Sequence, residues 1–412
     1  MRSIKENVLF QKPELRNFCL YRLIFGVSYS FMIPIIPLYL NSVGISTMMV
    51  GAIMSMYGLS KALAQVPFGG VSDKIGDKRL LIIALAIMTS VPMGYVVFNG
   101  KIMAGATYII QGAILGIAAP ATFSILARSL DENKRGECTG LASAVFTLGG
   151  GIGAEIAGFI ESKLNNFNLI FFCATGGILL TTIFVFFKIK KSEVAEKKDK
   201  DKEKSKISKD DTKNRIKGMY EEIKKNKLGC KIVLLSAIAF LGDFIFGSIT
   251  SIFPFYGQDV LGASTFYTSS IISVYLFVFG LGAPFAGWVS DKVGNKKQLL
   301  TSFVVMNASL LALGIFRSVM LFTGIIVVYF LGATFLNASL QSVLSEFGEN
   351  DKIKGIVFGI VGASESVGFA VGPIYSAFVY NMNEQWLFFG VLVISIIVTI
   401  VYLLLYKKSC LT

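Results

Sequence analysis

The sequence predicts an all-α integral membrane protein, with twelve transmembrane helices in two six-helix halves and both termini in the cytoplasm. Three observations carry this. Of 412 residues, 54% are hydrophobic and only 16% charged, where a soluble domain carries about 25% charged residues on its surface. The apolar residues come in blocks such as Asn17–Leu40, Leu80–Asn99, Asn166–Phe187 and Gln385–Tyr406, each as long as the roughly 20 helical residues that cross hydrocarbon. Short alternating segments, which a membrane β-barrel requires, are missing from these blocks. Finally, the basic residues are one-sided. All but five of the 39 Lys and Arg fall in segments that alternate as one face of the membrane; Lys101, Lys163 and Arg317 lie on the other, and Arg22 and Lys61 lie within helices. That asymmetry orients the chain and accounts for a net charge of +13 without a nucleic-acid partner.

In chain order, helices are expected at about 16–40, 47–71, 79–98, 102–128, 137–163 and 167–188, then 232–256, 265–289, 298–316, 318–344, 354–380 and 385–406. Residues 1–188 therefore form the first half, 189–231 a charged cytoplasmic linker, and 232–412 the second half. Met1–Phe18 is polar and reads as having no cleavable leader. Lys188–Lys231 holds 17 Lys and Arg with many acids, too polar to pack a core, and is either a solvated tether or a segment that docks on anionic headgroups. The five cysteines show no metal-ligand spacing and are expected to stay reduced in the cytoplasm. No histidine is present, so a proton relay would use carboxylates. No metal site, phosphate-binding loop or nucleophile–base set is recognisable. The expectation is a non-enzyme without cofactors.

The halves repeat. Pro67-Phe68-Gly69-Gly70-Val71-Ser72-Asp73-Lys74-Ile75-Gly76 follows the second helix, and Pro284-Phe285-Ala286-Gly287-Trp288-Val289-Ser290-Asp291-Lys292-Val293-Gly294 follows the eighth, with the Asp residues 218 apart. Gly140, Gly149 and Gly153 match Gly359, Gly368 and Gly372 at a spacing of 219. A parallel repeat of this kind places a shared cavity between the halves near the midplane.

Gly69-x3-Asp73-Lys74-x-Gly76-x-Lys78-Arg79 resembles the loop signature of the major facilitator superfamily, and the resemblance covers nearly the whole chain outside the linker. It implies that Gly69, Asp73, Gly76 and Arg79, with Gly287, Asp291 and Gly294 as a second copy, latch the outward-facing state. Gly140-x8-Gly149-x3-Gly153 resembles the fifth-helix signature of antiporters, except that its proline is Ala154 here, while Gly368, Gly372 and Pro373 supply the pattern in the eleventh helix. These small residues also read simply as helix-packing positions. Drug/proton antiporters of the family carry an arginine three residues before a Gln-Gly pair; here Gln111-Gly112 is preceded by Tyr108.

Five ionisable residues fall inside helices, where each costs several kcal/mol unless it faces the bundle interior: Arg22, Lys61, Glu155, Asp243 and Glu365. Lys61 lies 12 residues before Asp73, and Glu365 about 11 residues into its helix, so both sit roughly 17 Å from the cytoplasmic end. Glu365 is about 20° from Gly372 on a helical wheel. Lys61 and Glu365 are read either as a pair that forms in one conformation and separates in another, or as a static ion pair. Asp243 is the second candidate for proton or substrate. Arg22 either snorkels to headgroups or supports its helix, and Glu155 faces the cavity or binds backbone.

The resemblance implies a monomeric, multi-pass transporter of the inner (plasma) membrane, working by alternating access between a small-molecule substrate and protons. Proton-coupled efflux of amphiphilic or hydrophobic compounds leads. Metabolite uptake, lipid-linked glycan flipping and a non-transporting sensor are the alternatives.

Overall fold

A computed structural model describes residues 13–98, 100–129, 135–190, 228–347 and 354–407. All regular structure among these residues is helical. The long helices are α1 (Pro13–Ser30), α2 (Thr47–Ile75), α3 (Asp77–Val97), α4 (Lys101–Ser129), α5 (Arg135–Leu164), α6 (Phe167–Lys188), α7 (Gly229–Asp259), α8 (Thr265–Val293), α9 (Asn295–Ile315), α10 (Val319–Phe347), α11 (Lys354–Met382) and α12 (Leu387–Lys407). Nine of the helices among the described residues are long and apolar enough to cross a membrane. Those outside that set, α1, α2 and α11, are the ones carrying Arg22, Lys61 and Glu365. The expected linker lies largely outside the described residues.

Local chemistry sets the ends. Ser46, Asn166 and Ser264 cap α2, α6 and α8, each side-chain oxygen accepting a backbone N–H from the first turn. The expected first helix over 16–40 is interrupted: α1 stops at Ser30, turns follow, and a short helix resumes at Ile36–Ser42. Pro34 explains this, since it offers no N–H to the carbonyl of Ser30 and its ring crowds that carbonyl. α7 runs unbroken through its single Pro254, as membrane helices can where neighbours satisfy the freed carbonyl.

The same helix pairings recur in α1–α6 and α7–α12: α1 packs on α5 as α7 does on α11, α2 on α4 as α8 on α10, and α3 on α6 as α9 on α12. The two sets meet through α2 against α11 and α5 against α8. The turns joining α2 to α3 and α8 to α9 are equivalent too. Gly76 and Gly294 have φ of 87° and 89°, a backbone open to glycine and strained for a side chain.

Cys173 is a free thiol, whereas Cys230 at the start of α7 is disulfide-bonded. This corrects the expectation that every cysteine stays reduced. A compartment argument speaks to redox poise, not to which thiols the fold brings together.

Candidate functional site

The loop signature builds a tie among three helices rather than an isolated turn. Ser72 on α2 donates to Asp77 Oδ1 at 2.6 Å, and Ser124 on α4 donates to Asp77 Oδ2 at 2.8 Å. Asp77 is buried at the first position of α3, where a carboxylate also complements the helix dipole. The repeat is reproduced with an amide. Ser290 bonds Asn295 Oδ1, and Asn295 Nδ2 donates to Ser342 on α10 at 3.2 Å. Asp77 and Asn295 are 218 apart, the same spacing as Asp73 and Asp291, so the repeat itself pairs them. Of the signature residues, Arg79 and Asp291 are exposed, and Gly287 and Gly294 face open space. The surroundings of Gly69, Asp73 and Gly140 lie outside the described residues.

The helix-packing glycines put backbone against backbone. A Cβ on Gly149 would meet Leu23 O at 2.6 Å, and one on Gly153 would collide with Val27 O. Gly368 and Gly372 press likewise on the carbonyls of Phe240 and Phe244. Pro373 fills the space beside Gly247 of α7 and Gly51 of α2. Position for position, α5 is bolted to α1 as α11 is to α7.

Contacts between the two sets are concentrated away from the Gly76 and Gly294 turns. Along α2 and α11, Gly51 abuts Ala377 and Pro373, the Ile374 N–H donates to Ser55 Oγ at 3.0 Å, and Gly58 abuts Phe369. Along α5 and α8, Ser270 donates to Glu155 Oε1 at 3.0 Å and Ser273 to the Gly151 carbonyl at 2.7 Å. These three are the hydrogen bonds between the sets among the described residues. Glu155 is thus placed on the seam, held by a serine of the opposite set.

Lys61 and Glu365 sit one turn beyond Gly58 and Phe369, past the end of this zipper. With Asp243 of α7 they form a half-buried cluster in which each group is within electrostatic reach of the other two. No hydrogen bond or close ion pair joins them in this conformation; the close ion pair among the described residues is the exposed Lys190–Glu14. A recess opens beside Asp243, lined by Ile238, Tyr275, Phe279, Met306 and Asn337. Asn337 was not singled out from the sequence, because a lone Asn in an apolar run carries no pattern.

The facing wall of α1–α6 holds a different chemistry. Tyr95 donates to Gln111 Oε1 at 2.7 Å, Gln111 Nε2 donates to Tyr29 Oη at 3.1 Å, and Tyr29 and Tyr57 share a 2.5 Å hydroxyl contact. Gln111, noted above only as half of an incomplete signature, is the hub of a buried network whose members satisfy one another. Gly112 lets α4 approach the Tyr57 carbonyl, and Tyr108, at the arginine position, stacks on Tyr57 at 4.6 Å. Arg22 lies over the Phe146 ring at 4.0 Å. Its electrostatic neighbours are Tyr21 and Cys19, with no carboxylate among the described residues. Its guanidinium therefore packs against α5.

From Phe146, ring contacts pass through Phe25 to Tyr29, whose hydroxyl meets that of Tyr57; from Tyr57 they run through Phe369 and Phe246 to Tyr275 beside Asp243. The repeat spacing makes the exchange between walls explicit. Lys61 and Glu365 correspond to Phe279 and Phe146 at spacings of 218 and 219. At these two positions, where one set of helices carries a charge the other carries a ring. Among the described residues no group of three or more His, Cys, Asp or Glu side chains is placed to hold a metal ion.

The family model for the Major Facilitator Superfamily matches residues 18–351 and 268–409. Similar proteins include the multidrug resistance protein MdtG of Rahnella sp. (strain Y9602), 23% identical over 365 residues that cover 85% of this chain and 83% of that protein. The protein of the same name from Klebsiella pneumoniae (strain 342) gives the same figures. That of Escherichia coli (strain K12 / DH10B) is 23% identical over 366 residues, covering 85% of this chain and 84% of its own.

Proposed function

The chain belongs to the Major Facilitator Superfamily, a transporter rather than an enzyme and a multi-pass membrane protein, and on that premise we propose that it exports small amphiphilic compounds in exchange for protons across the inner (plasma) membrane. The observation that carries this is the Lys61–Asp243–Glu365 cluster at the end of the α2–α11 zipper. Two carboxylates beside one ammonium leave one uncompensated negative charge in an apolar setting, which a proton or a cationic group can neutralise. Because Lys61 belongs to one set of helices and both carboxylates to the other, neutralising a carboxylate weakens the attraction between the sets at that level. The ligand thus biases which end of the bundle closes, as differential binding to two states requires. The domains of this reading are residues 1–188 and 232–412, moving about the seam, with a monomer as the working unit and the termini on the cytoplasmic side. The substrate side is supported by relatives named as multidrug resistance proteins and by the aromatic strip beside the acids.

The test is purified protein in liposomes with a pH-sensitive dye inside, an imposed proton gradient, and a panel of cationic amphiphiles. Substrate-dependent proton movement in the wild type, lost in Glu365→Gln, is the expected result. Unchanged movement in the variant would overturn the assignment.

A further inference from the structure

We propose that the preferred substrates are aromatic zwitterions, with the cationic group at Asp243 and Glu365 and the anionic group at Arg22. The inference rests on the efflux reading above and narrows it. Its basis is a charge count. The Lys61–Asp243–Glu365 cluster holds two acids and one base, all half-buried and mutually interacting, so the cluster carries one negative charge in excess. Arg22 on α1 is half-buried, lies 4.0 Å from the Phe146 ring, and interacts with no carboxylate among the described residues. The α1–α5 wall therefore carries one positive charge in excess. A ring face offsets part of the cost of burying a guanidinium, and Tyr21 engages one edge of it, yet the rest of its fork of donors suits a carboxylate or phosphonate.

A monocation neutralises the first site and leaves the second charged. A monoanion does the reverse. A zwitterion neutralises both and leaves neither buried charge uncompensated. The ground between the two sites holds two runs of rings, Phe146 to Tyr29 and Tyr57 to Tyr275, joined by the Tyr29–Tyr57 hydroxyl contact, which suits a flat aromatic body with polar edges. Specificity then comes from the penalty of leaving one charged wall unpaired, as a site built for a polar group rejects the analogue lacking it.

The experiment uses two dyes with the same ring system: rhodamine B, which bears a free carboxylate and is a zwitterion, and its ethyl ester, a fixed cation. Initial proton-driven rates are measured in proteoliposomes for the wild type, Arg22→Gln and Arg22→Lys. The expected result is a kcat/KM for the zwitterion about tenfold above that of the ester in the wild type, the discrimination one buried charge-assisted contact supplies. Arg22→Gln should bring the ratio near one by slowing the zwitterion alone, and Arg22→Lys should restore part of it. Ester transport in the same variant reports that the protein is folded. Equal rates for both dyes in the wild type, or an equal fall for both in Arg22→Gln, would overturn the zwitterion assignment while leaving proton-coupled efflux standing. Movement of neither dye by the wild type would overturn the efflux reading and this inference with it.

Discussion

The two sets of helices come from the same repeat and have diverged in opposite directions. The wall of α1–α6 spends its polar groups on itself: Gln111 joins Tyr29 and Tyr95, and Tyr29 joins Tyr57. The wall of α7–α12 leaves two acids and a tyrosine unspent. Asp243 and Glu365 make no hydrogen bond among the described residues, and Tyr329, which corresponds to Gln111 in the repeat, keeps a buried hydroxyl without a partner. A satisfied network holds one geometry, while unsatisfied charges respond to whatever enters. The difference teaches that one scaffold can supply a satisfied polar network on one side and responsive carboxylates on the other, with Gln111 giving way to Tyr329 at the equivalent position.

If that contrast is right, substitutions at equivalent depths should separate sharply. The largest effect is expected for Glu365→Gln and Asp243→Asn. Proton-coupled flux should fall by at least about a hundredfold, the size of a shift of roughly 3 kcal/mol in a two-state equilibrium, while the melting temperature stays within a few degrees. Flux assays paired with thermal unfolding in detergent would check this, and a variant that transports normally would break the comparison.

Next come the shared bolts. Gly153→Val and Gly372→Val should each destabilise by about 1–3 kcal/mol through overpacking. They should do so to a similar degree, because both press on a carbonyl of the neighbouring helix; unequal melting shifts would show that the sets are not packed alike. Gln111→Leu should cost about 1–3 kcal/mol of stability by stranding the buried Tyr95 hydroxyl, and it should lower flux far less than the acid variants. The smallest effect is expected at the loop tie. Asp77→Asn converts it to the form already present at Asn295, and a change of about 1 kcal/mol should appear in unfolding without loss of coupling.

Much of the architecture was legible because membrane solvation enforces it. Long apolar blocks, one-sided basic residues and glycines at repeat spacing each follow from what hydrocarbon tolerates. The break after Ser30 was legible in Pro34 and was passed over, since a long apolar run reads as one helix. The five buried ionisable residues stood out because charge is rare in such helices. Their grouping was only half legible. Helix depth put Lys61 level with Glu365, whereas Asp243 joins them through the approach of α7 to α2 and α11, which depth alone does not encode. The tyrosine–glutamine network was invisible in one dimension: its members are spread over residues 29 to 111, and Tyr and Gln in an apolar stretch look like ordinary cavity lining. Asp77 hid in plain view as one more charge in a charged loop. The tie it makes needed the positions of Ser72 and Ser124 on two other helices.

The central claim is that the acid cluster decides which end of the bundle closes. Its most direct test is the distance between genetically encoded spin labels at Leu63 and Ile360, exposed residues on α2 and α11 on the loop side of Lys61 and Glu365. It is measured by double electron–electron resonance in lipid nanodiscs at mildly acidic and mildly alkaline pH. With Lys61 facing charged Asp243 and Glu365, attraction draws the sets together, so the account predicts a shorter distance at alkaline pH in the wild type and one pH-independent distribution in the double variant Asp243→Asn, Glu365→Gln. A wild-type distance that ignores pH, or a double variant that still responds, would contradict it.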